Sequence, residues 1–592
     1  MELSLILPVY NDRDNLKTNF EKVYETMKHD FYGQFEIILA EDGSDDGSEK
    51  MVKKLSKLKW VRMTSTAKRR GRGGALKDGS MAAGSVKFDT EKVWLFLAIS
   101  MTIVSMIYWT AYVFNAYSTF HEYYDAGVAA YSAYYHIHYP QLIGGLEYII
   151  FWNHVEPTQL LTLPIFALFP STLTLLIIQE LVLSLTGLII FFVARDLLKS
   201  GLWGVIFSLA FLVNPGMHGM IIYDYHAEFL FFPFFILAFY GYMKANKTLF
   251  YSSFILLLAA IDTAPFIAGT LALALLLYGV LYTKDKTLKN QRITMAVSAI
   301  VLSFIALYLY NSINVLLDNS YATNYLVLPP EFHVNGFDSS QTVTFTKILS
   351  GVAIPSFNYV PIYTFYSIFA AIFCFGFLIL FDPIISLVLT APWLYEALFT
   401  TNTGFYSVWY NDFAYVIGGI TVAAMIGAML MEEHRGLLGN ILYRVESSRP
   451  GFMRSMAVTI VLLFSIFLFM LSPILALNKN VNSLNESFLF QTNSTDRLMY
   501  SQLDWVIKQI PANASLLTEY FIVPHVSDRE YLMTMSRTTP WFTPQYVLVD
   551  NTINNMRVPS SFNDYNISVS YAENSSYLVY AQNGSAILYK HR

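Results

Sequence analysis

Between residues 93 and 476 the chain is an almost unbroken series of apolar runs. A helix needs about 20 apolar residues to cross a hydrocarbon core, and a soluble fold has no place to hide so many such runs. Eleven candidate spans follow: 93–114, 171–194, 201–213, 229–243, 249–260, 265–283, 293–312, 360–381, 384–400, 412–431 and 455–476. Pro164 and Pro170 bracket a further apolar stretch near 157–169 that is expected not to span. Composition agrees: 55% of residues are hydrophobic and 14% charged, against about 25% charged in soluble domains. The fold expected is mainly α, a polytopic membrane protein.

The flanks differ from this middle. Residues 1–84 hold 15 Lys and Arg and 13 Asp and Glu, so this block meets water. Residues 477–592 are polar and rich in Asn, Ser and Tyr, with no run long enough to span. The expected domains are therefore 1–84, 93–476 and 477–592. The lone Cys374 rules out an internal disulfide framework. The net charge of −5 gives no reason to expect a nucleic-acid partner. No cleavable signal peptide is expected, because the apolar stretch Leu3–Val9 is short and lacks a basic leader.

Basic residues orient the spans. With residues 1–84 in the cytoplasm, the inner loops hold Arg195, Lys199, Lys244, Lys247, Lys284, Lys286, Lys289, Arg292, Arg435, Arg444, Arg449 and Arg454. The outer loops hold only Lys347. An odd number of crossings places 477–592 outside the cell membrane. That tail carries six N-x-S/T sequons, at Asn485, Asn493, Asn513, Asn566, Asn574 and Asn583, which fits an exposed surface.

In the N-terminal block, Leu3–Val9 and 35–40 read as buried parallel strands, with an amphipathic helix through about Met27 between them. Strands alternating with helices imply a doubly wound sheet that binds ligand at the carboxyl ends of its strands. Three motifs stand there: Pro8-Val9-Tyr10-Asn11-Asp12, the run from Glu41-Asp42 to Ser48, and Gly71-Arg72-Gly73-Gly74-Ala75-Leu76-Lys77. They resemble the opening of family 2 glycosyltransferases, closest to dolichyl-phosphate mannose or glucose synthases. The resemblance implies that Pro8, Tyr10, Asn11, Asp12 and Asp42 hold the base and ribose of a nucleotide-sugar, with Arg72 and Gly73 near its diphosphate. That family continues with a D-x-D pair, a catalytic carboxylate and an acceptor helix. Here the only acids between Gly84 and the first span are Asp89 and Glu91. The block is therefore expected to be a truncated remnant that does not transfer sugar alone; nucleotide-sugar binding without catalysis is the alternative.

The outer loops gather acids and histidines. The first holds Glu122, Asp125, His136, His138, His154 and Glu156; the next holds Asp224, His226 and Glu228; the third holds Asp262. Ionisable groups near membrane depth are costly and face a cavity or one another. The bland reading is that loop acids outside a membrane are ordinary. Tyr124-Asp125-x-Gly127, Asn153-His154-x-Glu156-Pro157, Asp224-Tyr225-His226-x-Glu228 and Ile261-Asp262 resemble a membrane-protein family of unknown function, domain-of-unknown-function family 2079. That family belongs to the GT-C clan, polytopic enzymes that use polyprenyl-phosphate sugars. The tail around Ile510–Ser515, Pro524-His525 and Ser527-Asp528-Arg529 is similar to the small extracytoplasmic α/β domain that ends many of them. Trp409-Tyr410 departs from the His-Tyr of the pattern.

The resemblance implies sugar transfer from a polyprenyl-phosphate donor to a glycan, lipid or protein acceptor outside the bilayer. Asp125 would be the general base on the acceptor hydroxyl. His154, Asp224, His226, Glu228 and Asp262 would share the site. Asp224, His226 and Glu228 are candidates to hold a divalent cation such as Mg or Mn. Tyr123, Tyr124, Tyr134, Tyr135 and Trp152 could stack on sugar. Two other readings stay open. A transporter or lipid-carrier flippase would show internal repeats with ionisable groups at mid-span. A non-catalytic membrane protein with a vestigial nucleotide-sugar domain would tolerate loss of the outer acids.

Overall fold

The computed structural model describes residues 3–30, 35–82, 90–120, 124–138, 155–316, 368–371, 373–399, 414–436, 451–470, 494–534, 543–550, 552 and 576–592. The chain forms two compact units, Met1–Val93 and Trp94–Arg592. His154, Glu122, Tyr123, Trp152, Lys347, Trp409–Asp412 and the sequons Asn485, Asn493, Asn566 and Asn574 lie outside the described residues.

The first unit is a parallel sheet in the order β1-β2-β3. β1 (Leu3–Val9) and β2 (Phe35–Glu41) stand where the apolar runs place them. β3 (Val61–Ser65) was not anticipated, because VRMTS carries too little apolar signal. α1 (Arg13–Asp30), α2 (Ser48–Leu55) and α3 (Arg72–Ala82) complete the unit. β2 is buried along its whole length, whereas β1 is half-buried at the edge of the described sheet. Gly79 lets α3 lie close on β1, since a Cβ there would strike the Ile6 side chain.

The second unit begins at Trp94, within α4 (Thr90–Ser118), and continues with α5 (Tyr124–His138). A 3-10 turn, Pro157–Leu161, and the short α6 (Leu163–Leu168) occupy the stretch expected not to span, each opening on a proline that suits the first turn. Then come α7 (Thr172–Leu198), α8 (Gly201–Leu212) and α9 (Pro215–Tyr223). After a 3-10 turn at Ala227–Leu230 follow α10 (Phe231–Met243), α11 (Lys247–Leu258), α12 (Ala264–Tyr282) and α13 (Lys286–Leu316). α14 (Pro383–Phe399), α15 (Ala414–Glu432) and α16 (Phe452–Met470) complete the apolar part.

Six of these helices are long and apolar enough to cross a membrane, and seven if the bent pair α8–α9 is one crossing. The 42° bend falls at Asn214-Pro215. There the Asn214 side chain accepts the Gly216 N–H at 2.9 Å and restarts the helix. The expected spans at 229–243, 249–260 and 384–400 are apolar helices but short ones. The 13 residues of α10 rise about 20 Å, less than the ~30 Å of a hydrocarbon core. The expected span 360–381 is not one helix. Its described end turns at Gly376, whose φ of +63° leaves the helical region, and runs on as a 3-10 segment, Leu378–Phe381.

α15 is the most enclosed helix and α4 the least, so α4 presents most of its apolar side chains outward. At one end of the bundle the basic residues find partners. Asp196 takes Lys199 at 3.1 Å together with Lys244, Arg454 holds Glu432 with two bonds of 2.6 Å, and Arg292 donates to the Met243 carbonyl at 2.6 Å. The loops at the opposite end carry the acids and histidines.

The chain ends with α17 (Ser494–Ile507) against a sheet of order β5-β4-β6-β8-β7. β4 (Leu516–Thr518) is parallel to β5 (Leu532–Thr534) and β6 (Tyr546–Asp550). β8 (Ala586–His591) runs antiparallel to β6 and β7 (Tyr577–Asn583). Phe120, just past α4, inserts into this core with a left-handed φ of +53° and lies 4.0 Å from the His525 ring.

Candidate functional site

Where α9 ends, the chain turns sharply through Asp224-Tyr225-His226 before the Ala227–Leu230 turn. Asp224 is buried. Its Oδ2 accepts the Ala126 N–H at 3.0 Å in the first turn of α5, and its Oδ1 accepts the Tyr225 N–H at 2.7 Å. A carboxylate on a helix's first turn meets both an unpaired N–H and the positive end of the dipole. Gln179, in the apolar run of α7, holds the same loop from below. Its Nε2 donates to the Asp224 carbonyl and its Oε1 accepts the His226 N–H, both at 2.8 Å.

This clamp sets the next residues. Asp125 Oδ2 faces His226 Nε2 at 3.6 Å, an ion-pair distance too long for a hydrogen bond. Tyr223 stacks on the His226 ring, with centroids 5.2 Å apart. The Asp125 side chain is 35% exposed, whereas Asp224 and Asp262 are within 1% of full burial. Asp125 is thus the carboxylate of this group that a solute can reach.

A second acidic group adjoins through the same loop. Asp262 is buried ahead of α12, and its Oδ2 accepts the Val155 N–H at 3.4 Å. The Thr158 N–H donates to the Ala259 carbonyl at 3.1 Å, fixing residues 155–158 against the turn before α12. Glu156 bonds Gln159. Burial pushes the Tyr225 phenol well above its ordinary range, and the carboxylates of Glu156 and Glu228 push it the same way. Glu156, Tyr225, Glu228 and the loop that bears Asp262 therefore share one neighbourhood.

The far end of the chain closes on α5. Gly127 touches Val523 and Pro524, where a Cβ would lie 2.7 Å from the Pro524 nitrogen. Tyr131 donates to the Glu530 carbonyl at 2.8 Å, and Thr172 to that of Pro524 at 2.7 Å. Arg529 is buried, with its Nε bonded to the Val526 carbonyl at 2.7 Å, and burial lowers its pKa. His525 lies between Tyr117 and Phe120, and burial pulls its pKa down to about 3, so it is neutral.

The structure thus brings together Asp125, Asp224 and His226, and sets Glu228 and Asp262 on the two turns that flank them. Among the described residues no three His, Cys, Asp or Glu side chains are placed to share a metal ion. Asp224, His226 and Glu228 do not form such a set: Asp224 turns to Ala126 and His226 to Asp125. Gln179 escaped the sequence reading. Its signal was a polar pair, Gln179-Glu180, inside an otherwise apolar run.

In the first unit the three motifs meet at the carboxyl end of the parallel strands. Asn11, at φ +45°, exchanges bonds with Asp45 at 2.8 and 3.1 Å. The Asp12 N–H donates to Ser48 at 2.9 Å. Pro8 pairs with Ala40 in the β1–β2 register. Asp42 is buried, and its Oδ1 accepts the Arg70 N–H at 2.7 Å. The Arg69 guanidinium covers the Tyr10 ring at 4.1 Å. Arg72 and Gly73 are exposed at the start of α3, and a Cβ at Gly73 would meet nothing within 4 Å. That leaves room for a ligand to approach the backbone.

Comparison with known families matches this division. The family described as predicted membrane protein (DUF2079) matches residues 107–588, and glycosyl transferase family 2 matches residues 4–85. No curated protein matches the chain. Since the first match covers well over half of the sequence, the chain belongs to the DUF2079 family of predicted membrane proteins, with a glycosyltransferase family 2 fragment ahead of it.

Proposed function

We propose that the chain is a membrane-embedded glycosyltransferase that moves a sugar from a polyprenyl-phosphate donor to an acceptor on the extracytoplasmic face. The observation that carries the reading is the half-buried, solvent-reachable Asp125 carboxylate facing His226 beside a buried clamp of Asp224 and Gln179. Asp125 takes the proton of the acceptor hydroxyl as that oxygen bonds the anomeric carbon. The bond from that carbon to the phosphate oxygen breaks, and its electron pair leaves with the lipid phosphate. His226 stands beside the Asp125 carboxylate and orients it towards the acceptor. Asp224 is a positioning residue that fixes the first turn of α5. Glu156, half-buried on the adjoining turn, is placed to meet hydroxyl groups of the sugar, while the buried Glu228 and Asp262 sit on the turns that flank the site.

The placement of basic residues at one end of the bundle supports this face of action, with the N-terminus in the cytoplasm and the tail outside. On this reading the short helices complete about eleven crossings of a GT-C-like fold, and the terminal sheet is the small extracytoplasmic α/β domain. The first unit holds a nucleotide-sugar at most and performs no transfer.

The test is turnover by the full chain in lipid with a panel of polyprenyl-phosphate sugars. Transfer that persists in Arg72→Ala supports the assignment. Absence of transfer from every donor, with the protein folded, removes it and brings the lipid-carrier flippase forward.

A further inference from the structure

α17 turns one face into the core of the terminal domain, where Tyr500, Leu503 and Val506 are buried. Leu498 and Trp505 are left out of that core, 57% and 46% exposed. Seven residues separate them, which sets them within about 20° of one another round the helix and about 10 Å apart along it. Arg497 and Lys508 are exposed on the neighbouring flank, with Lys508 paired to Asp504 at 2.5 Å. An apolar stripe that carries a tryptophan beside a basic flank is the pattern of a helix lying in a membrane interface.

Isolated apolar residues on a water-facing surface are ordinary. The depth of α17 separates this pair from them. α4, long and apolar enough to cross a membrane, turns Phe96, Val104, Ile107 and Phe114 outward. From Phe96 to Phe114 it rises about 27 Å, close to the ~30 Å of a hydrocarbon core, so Phe114 stands at the edge of that core. Phe120 comes six residues later, and its ring lies 6.1 Å from that of Tyr500 on α17. α17 therefore sits at headgroup depth, next to a helix whose outer face meets lipid.

We propose that Leu498 and Trp505 dock α17 on the surface of the bilayer, with these side chains at the acyl boundary and the basic flank towards the lipid phosphates. The docking is independent of sugar transfer, because it uses no residue of the Asp125 site.

The test places a nitroxide at Leu498→Cys in the full chain, in vesicles of phosphatidylcholine and phosphatidylglycerol; Cys374 is buried and takes no label. The expected result is that oxygen, which partitions into acyl chains, relaxes the label more than a water-soluble nickel complex does. A label at Lys57→Cys, an exposed position in the first unit, should show the reverse. A Leu498→Cys label that behaves like the Lys57→Cys label overturns the proposal. Dipolar broadening between two Leu498→Cys labels also overturns it, because a second copy then covers the face. Trp505 allows a measurement without a label: lipids brominated on their acyl chains should quench the emission that Trp505→Phe removes. If that emission is unquenched, the proposal fails.

Discussion

Replacing Gly127 by Ala tests whether the end of the chain holds the first turn of α5. The added Cβ would lie 2.7 Å from the Pro524 nitrogen and from Val523 Cγ1, and 2.9 Å from the Val523 carbonyl carbon. Two of these three atoms are backbone, so no rotamer change relieves the clash. Overpacking costs about 1–3 kcal/mol, and backbone obstruction belongs at the upper end. Alanine returns about 1 kcal/mol of helix propensity. The net loss is about 2 kcal/mol, a roughly thirtyfold fall in the docked population. Hydrogen exchange reads it directly: the Val526 amide, bonded to the Val523 carbonyl at 3.1 Å, should lose about thirtyfold in protection. Leu548, in the core of the terminal sheet, should keep its own. Gly269→Ala is the control, because its Cβ meets only Ser303 at 3.7 Å. Unchanged protection at Val526 in Gly127→Ala would refute the claim that close packing at this glycine joins the tail to α5.

Gln179→Leu strips partners from the buried Asp224 carbonyl and His226 N–H; two such losses cost about 2–4 kcal/mol, read as a lower unfolding midpoint in lipid. His525 is held neutral with its pKa near 3 against an ordinary 6.5. The unfolded state binds that proton first, so docking of residues 520–531 should weaken as pH falls below 6.5. His525→Phe should flatten the response seen by hydrogen exchange. Glu41 is buried enough to raise its pKa, but bonds from Ser44 at 2.5 Å and Ser65 at 2.7 Å outweigh this and lower it. Its contribution is present above the ordinary 4.5 and lost as pH falls through the depressed value. Amides of β2 and β3 in the full chain should therefore lose protection, relative to their intrinsic exchange, in acid, and Glu41→Gln should remove that dependence.

The parts legible in the sequence were those whose cause is local. β1 and β2 are apolar runs of strand length, and α7 and α12 are long apolar runs with prolines or caps at their starts. The loop acids Asp125, Asp224 and Asp262, with His226, could be picked out because ionisable groups are conspicuous beside apolar spans. α5 could not be read as a helix, because its small buried residues Ala126, Ala130 and Ala133 pack on the main helical core while Gly127 and Tyr131 meet residues 523–530, far away in the chain. Nor could the roles of the two aspartates be separated. Asp125 and Asp224 look alike in sequence, yet one is half-buried and reachable by solvent and the other is consumed by an α5 N–H. Gln179 was hidden for the opposite reason: it looks like a blemish in a span until the loop it holds is seen.

The most direct test of the account is the rate of sugar transfer by Asp125→Asn beside wild type, with hydrogen exchange confirming that the Asp224–Ala126 clamp is intact. Loss of a general base predicts a fall of about 10²–10⁴-fold in kcat, with donor binding retained. A variant that transfers sugar at the wild-type rate would contradict the assignment of Asp125, and with it the proposed site.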